Sequence, residues 1–299
     1  MSFSKNTIAW VAFAFVGMVW GSNFVFMKLA SDYITPMQIV FWRVLFGFVP
    51  IAFFACAKKT LSLSHLKHGH HFLTMGLLAT VVYYFGFAKG TSLLSSGIAG
   101  AISGAIPLFS IIAAALFLTE EAITKWKLIG SALGFIGILI LARPFSANVD
   151  SETTLGASYM VMGAMSVGFS FVYAKRFISP LKLSSLALTT YQLGAGLIIL
   201  FFVTDFEGIG AITESILPSA ATIFGLGLLG TGMAYLCYYF IIENLGALTA
   251  SSVTYIPPVI ALAIGGLVMG EVIETRDYVA TGLILLAVSV VAFAGKAKS

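Results

Sequence analysis

The chain has 299 residues, of which 59% are hydrophobic and 9% charged, with a net charge of +4. Ordinary soluble domains carry about 25% charged residues, so this composition, with a mean hydropathy of +1.02, excludes a water-soluble globular protein and defines an integral membrane protein. The recurring uncharged runs suit helices of about 20 residues rather than strands of about ten, and the positive charge is better explained by membrane topology than by affinity for nucleic acid.

Taken in chain order, the pattern predicts ten helices, near 8–28, 36–56, 72–89, 94–118, 126–142, 155–174, 184–203, 218–242, 246–269 and 278–295. Lys5 ahead of an apolar run resembles the start of a signal peptide. No small-x-small cleavage site leads into a polar segment, and the run continues to Met27, so an uncleaved first span is expected. Two divisions rest on length. Phe72 to Leu118 carries only Lys89, and Pro218 to Met269 only Glu243. At 1.5 Å per residue each run is about 70 Å long against a hydrocarbon core of about 30 Å, so each is expected to fold as two helices. Gly90 and Gly246 stand where the chain would turn. Cys56 and Cys237 lie in apolar runs and read as small buried hydrophobes rather than a disulfide.

Lysine and arginine set the orientation. With the N-terminus inside, Lys5, Lys58, Lys59, Lys67, Lys125, Lys127, Lys175, Arg176, Lys182, Lys296 and Lys298 fall inside. Lys28, Lys89, Arg143 and Arg276 fall outside, and Arg43 lies within a span. Eleven against four predicts a multi-pass protein of the inner cell membrane with both termini cytoplasmic. His65, His68, His70 and His71 share the 57–71 loop, where a solvated cytoplasmic segment is favoured over a metal site. No cofactor is implied.

The chain repeats itself. At an offset of 150, Ile106-Pro107 falls on Ile256-Pro257 and Glu121 on Glu271; Pro258 makes the second copy a Pro-Pro. At an offset of 147, Gly21 to Lys28 matches Gly168 to Lys175, and Phe41-Trp42-Arg43 falls beside Thr190-Tyr191-Gln192 two residues further on. The units are 1–147 and 148–299, parted by the polar loop Arg143 to Thr154. Five helices per unit is an odd number, so the second unit enters the membrane upside down, with Lys28 and Glu271 outside and Lys175 and Glu121 inside. The fold class is therefore an all-α integral membrane protein of ten spans in two inverted five-helix repeats, an arrangement used by transporters.

Trp20-Gly21-Ser22-Asn23 with Lys28, Arg43 in the second helix, and the paired Pro…Glu pattern followed by small-residue helices (Gly130 to Gly134 and Ala280 to Gly282) resemble the EamA type of drug/metabolite transporter. The resemblance covers nearly the whole chain, once per half, and within the family it is greatest to amino-acid exporters of the YddG type. It implies ten helices, cytoplasmic termini, and a central cavity lined by the first, third and fourth helix of each half.

A cavity for a small organic solute needs polar groups at mid-membrane depth among apolar walls. Trp20 and Asn23 lie deep in the first helix; an Asn in hydrocarbon must hydrogen-bond, either to a solute or to a neighbouring helix. Tyr83 and Tyr84 sit near the centre of the third helix, and because neighbours point 100° apart, at most one is expected to face the cavity squarely. Tyr235, Tyr238 and Tyr239 repeat this enrichment in the eighth helix, and Tyr255 is expected to form a cage with Ser170 and Tyr173. Pro107 and Pro257 each free a carbonyl four residues earlier, at Ser103 and Val253, for a static kink, a hinge or an ammonium site. Arg43, about 10 Å below the outer interface, reads as a substrate-carboxylate ligand or outer gate, or as a structural pairing group; the last is favoured because the family's second helix is peripheral. Glu121 and Glu271 are expected to tie turns to neighbouring backbone. Ser92, Ser96, Gly100 and Gly104 form one close-packing stripe on the fourth helix.

The expected activity is export of amino acids, neutral or aromatic, or of similar small metabolites by alternating access. Import, or export of another metabolite or drug-like amphiphile, is the alternative. An enzyme is disfavoured, since neither a metal-type His/Glu cluster nor a Ser/His/Asp set lies at membrane depth. No carboxylate lies there either, which argues against tight ion coupling. The partners are then a small-molecule solute and the lipid bilayer, and a monomer is compatible with the pattern.

Overall fold

The computed structural model describes residues 5–117, 125–142, 151–245 and 252–296. Among these are ten helices and no strand: α1 (Lys5–Ser31), α2 (Pro36–Ala57), α3 (Leu63–Leu93), α4 (Ser96–Phe117), α5 (Lys125–Ala142), α6 (Ser151–Leu181), α7 (Ser185–Val203), α8 (216–245), α9 (Ile256–Leu267) and α10 (Thr275–Lys296). Seven of them, α1 to α4 and α6 to α8, are long and apolar enough to cross a membrane. Phe53, Phe202 and Leu128 are among the large apolar side chains left on the outer surface, a liability in water and a natural fit to lipid.

Local chemistry sets the helix ends. Thr35 caps α2: its hydroxyl accepts from the Gln38 amide at 3.4 Å, the Gln38 side chain returns the bond to the Thr35 amide at 3.0 Å, and Pro36 holds the first turn. Gln38 also donates to the carbonyls of Asp205 and Glu207, fastening the loop that follows α7. Lys28 donates to the carbonyls of Ser92 and Leu94, closing the C-terminal end of α3.

Helix packing follows one exchange rule, the swap of each helix for its counterpart five places on. The contact of α3 with α6 has its twin in α8 with α1; α2 with α8 has its twin in α7 with α3; α1 with α9 has its twin in α6 with α4. The pairs α2–α7, α4–α9 and α5–α10 map onto themselves. Glu271, just beyond the end of α9, accepts from the amides of Ser96 (2.7 Å) and Gly97 (3.0 Å) in the first turn of α4. The equivalent helices α4 and α9 therefore run antiparallel, as inversion demands.

Glycines supply the close approaches. A Cβ on Gly21 would meet Ile260 and the Pro257 carbonyl oxygen; one on its counterpart Gly168 would meet Phe109 and Ser110. The proline-bearing helices thus lie in notches cut by equivalent glycines of α1 and α6.

Four sequence expectations change. Cys56 is exposed rather than buried. The 57–71 segment is partly helical: a 3₁₀ turn (Leu63–His68) capped by Ser62 leads into the helix at Gly69. Its histidines join the fold, His65 Nδ1 lying 3.2 Å from the Tyr191 hydroxyl and His71 Nδ1 2.7 Å from that of Tyr173. Gly90 lies inside α3, where a Cβ would strike Met160, and the chain turns at the extended Leu94 instead. That break also assigns Ser92 to α3, so the small-residue face of α4 begins at Ser96; Gly100 and Gly104 approach Ala261 and Pro258 of α9. Glu121 and Gly246 lie outside the described residues.

Candidate functional site: a central aromatic cavity

Both halves converge on one cavity of about 90 Å³, room for several waters. Trp20, Asn23, Phe24 and Met27 of α1 line it, with Tyr83, Tyr84 and Phe87 of α3 and Ser103 and Ile106 of α4. From the second half come Val167 and Phe171 of α6, Tyr235 and Tyr238 of α8, and Thr254 and Pro257 at the entry to α9. Arg43 of α2 completes the wall and is its one charged member.

The α1 residues follow the i, i+3, i+4, i+7 spacing of a single helix stripe. Two π-helical stretches, residues 77–82 of α3 and 221–233 of α8, occupy equivalent places in the two halves. A π turn widens the helix and offers carbonyls sideways. In α8, Trp20 Nε1 donates to the Gly230 carbonyl at 3.2 Å, and the Thr231 hydroxyl donates to Leu226, five residues back, at 2.9 Å. In α3, the Ser166 hydroxyl donates to the Leu78 carbonyl at 2.7 Å. The first helix of each half thus hydrogen-bonds the widened third helix of the other.

Arg43 stands at the centre of the polar groups. It is 4% exposed, and its Nε donates to the Thr231 hydroxyl at 3.0 Å. With the Asn23 amide oriented so that both its ends are satisfied, the Asn23 oxygen accepts from Arg43 Nη2 at 3.1 Å and its nitrogen donates to the Val19 carbonyl at 3.1 Å. The guanidinium carbon lies 3.8 Å from the centre of the Tyr84 ring, a cation–π contact worth about 2 kcal/mol when desolvated. The Tyr84 hydroxyl donates in turn to the Tyr235 hydroxyl at 3.3 Å. Among the described residues no carboxylate lines the cavity.

The structure gathers Trp20, Asn23, Tyr83, Tyr84, Ser103, Tyr235 and Tyr238 around this space. Both members of the Tyr83–Tyr84 pair reach it, against the expectation of one; their rings lie 4.8 Å apart, Tyr83 bridging toward Phe87 at 4.7 Å. Two residues are not brought there. Ser170 is buried and donates within its own helix to the Val167 carbonyl at 2.7 Å. Tyr173 turns toward the His71 end of the bundle, stacking with Phe177, so it forms no cage at the cavity. The side chains of Tyr239 and Tyr255 lie outside the described residues. The proline positions are placed alike: Pro107 and Pro257 are each the second residue of a helical piece, after the break at Gly104–Ala105 in α4 and after the 3₁₀ turn Ser252–Tyr255 before α9, with Pro258 buried beside the second.

A pair of inverted helical units closing on a cavity at their shared interface is the architecture of a membrane transporter. The model of the EamA-like transporter family matches the chain twice, over residues 8–143 and 154–293, and the protein belongs to that family. It is similar to an "Uncharacterized transporter" of Archaeoglobus fulgidus, 25% identical over 94% of this chain and 98% of that one. It also resembles the "Uncharacterized inner membrane transporter YedA" of Escherichia coli K12, 26% identical over 92% of this chain and 87% of that one. A more partial likeness, 24% identity over 59% of this chain and 57% of the relative, is to a "Probable terminal-alkyne amino-acid exporter" of Streptantibioticus cattleyicolor. A solved crystal structure superposes with a TM-score of 0.59 at 17% identity, over 97% of this chain and 98% of that one, a likeness of fold.

Proposed function

We propose that this EamA-family membrane transporter is a carrier that exports amino acids, neutral or aromatic, or closely similar small metabolites, by alternating access through the cavity between its two halves. The observation that carries the proposal is the cavity wall: six of its seven helices are equivalent in pairs, and its surface is aromatic with a few buried polar groups. Aromatic faces suit apolar and aromatic side chains, and Asn23, Arg43 and the tyrosine hydroxyls suit a polar head. The partial likeness to a protein named as a probable amino-acid exporter points the same way. Lysine and arginine placement supports an inner-membrane orientation with both termini cytoplasmic, and the units of rocking are taken as residues 1–147 and 148–299. The cavity offers a solute site rather than a nucleophile–base pair, which supports a carrier over an enzyme.

Reconstituted liposomes loaded with a panel of radiolabelled amino acids test this. Saturable, counterflow-competent flux of neutral or aromatic members supports the proposal; absence of flux for every member, with correctly inserted protein, refutes it. Flux that accumulates solute against its gradient when only a pH gradient is imposed would refute the accompanying proposal that transport is not tightly proton-coupled.

A further inference from the structure

We infer that Arg43 is the anion-binding group of the cavity, and that the solute class is defined by a carboxylate rather than by an amine. The inference deepens the transport proposal and rests on it for the cavity being a solute site. A guanidinium has five N–H donors. The Thr231 hydroxyl takes Nε–H and Asn23 takes one hydrogen of Nη2. Three donors, spread over both terminal nitrogens, have no partner among the described residues, on a side chain that is 4% exposed and lines the cavity. The Tyr84 ring at 3.8 Å covers one face of the guanidinium and accepts no strong hydrogen bond from its edge. A planar fork held in place by Thr231, Asn23 and Tyr84, with its remaining edge unengaged, is built to take a carboxylate in two hydrogen bonds.

The molecule contains its own control for the structural alternative. The position equivalent to Arg43 in α7 is Gln192, whose Nε2 donates to the Thr80 hydroxyl at 3.3 Å, as Arg43 donates to Thr231 at 3.0 Å. The following glycines match as well: a Cβ on Gly47 would meet Thr231, and one on Gly196 would meet Thr80. Bridging the second helix of one half to the third helix of the other therefore needs an amide and no charge. What Arg43 adds over Gln192 is a positive charge and spare donors, on the member of the pair that faces the cavity. With no carboxylate in the wall among the described residues, a solute amine finds π faces and carbonyls but no countercharge there. The site should accept an aromatic acid with or without an amino group and discriminate against the corresponding amine.

Equilibrium binding to the purified full-length protein in detergent tests this without relying on flux. The probes are phenylalanine, 3-phenylpropionate and phenethylamine, read by thermal-unfolding shift and by tryptophan fluorescence. The expected result is that both carboxylates bind and the amine does not. Arg43→Gln, which copies the residue tolerated in the twin position, should weaken both carboxylates by at least about tenfold, and Arg43→Lys, retaining charge but not the fork, by less. Binding of phenethylamine as tight as that of the acids, carboxylate binding that survives Arg43→Gln unchanged, or no binding of any probe to the wild type would each overturn the inference. The first of these outcomes is read on the wild type alone, so a misfolded variant does not shelter the proposal. Loss of liposome flux with carboxylate binding intact would instead remove the transport proposal and leave the site standing.

Discussion

Arg43 donates through Nε to the hydroxyl of Thr231 at 3.0 Å, joining α2 of the first half to the π-helical stretch of α8 in the second. The same bridge recurs inverted, from Gln192 to Thr80 at 3.3 Å. The two halves have kept one joint and changed the charge of one of its members. Hydrogen bonds to charged groups contribute about 1.5–3 kcal/mol and those between neutral groups about 0.5–1.5. Thr231→Val should therefore destabilise the protein more than Thr80→Val. Thermal unfolding in a single detergent orders the two variants, and an equal or reversed order would show that the charge of Arg43 places no special demand on Thr231.

Gly21 supplies a second prediction. A Cβ there would lie 2.5 Å from the Ile260 Cβ and 3.1 Å from the Pro257 carbonyl oxygen, and neither the helix backbone nor a β-branched side chain can retreat easily. Gly21→Val should cost about 1–3 kcal/mol by overpacking and should impair flux by displacing α9 from α1. Gly282 of α10 has open space where its Cβ would be, so Gly282→Ala should be neutral or stabilising, by up to about 1 kcal/mol. Unfolding midpoints of the two variants against wild type check both halves of this statement.

Tyr84 separates ring from hydroxyl. Its face lies under Arg43 and its hydroxyl donates to Tyr235. Tyr84→Phe keeps the face and removes one neutral hydrogen bond, so flux should fall by no more than about tenfold. Tyr84→Ala uncovers the guanidinium and opens the wall, and flux should fall by more than about tenfold at unchanged membrane abundance. Equal effects of the two substitutions would mean that the hydroxyl, rather than the ring, matters.

The all-helical, membrane-spanning character was legible because the spans are sustained apolar runs, a signal that survives without any knowledge of neighbours; seven of the described helices meet that measure. The Gly21–Lys28 repeat exposed the inversion because Gly21 and Gly168 meet the same demand, a notch for a proline-bearing helix. Arg43, read from its place on a peripheral helix as a structural pairing group, does pair through Nε with Thr231; what the sequence did not reveal is that its long side chain also reaches the cavity wall. Sequence reading did not single out Thr80 or Thr231, because nothing local marks a threonine as the acceptor for an arginine 188 residues away. Ser170 and Tyr173 are placed away from the cavity: on α6 their azimuth is set by packing against α3 and α4, which spacing alone does not reveal.

Glu271 offers the last prediction. Its two oxygens accept from the amides of Ser96 and Gly97, the unsatisfied donors of the first turn of α4, and the carboxylate charge also suits the positive end of that helix. Glu271→Gln keeps the shape but turns an NH₂ toward one of two donors, so one hydrogen bond is lost; Glu271→Ala loses both. Stability should fall in that order, by about 1–3 kcal/mol for Gln and more for Ala, read as a lowered unfolding midpoint. Because the bond ties the end of α9 to the start of its twin α4, the loss should also ease their separation. Cysteine-accessibility labelling at positions flanking this contact, Ser95→Cys and Gly270→Cys, should then become faster in both variants. Unchanged labelling together with a lowered midpoint would confine Glu271 to static capping and give it no part in the proposed alternating access.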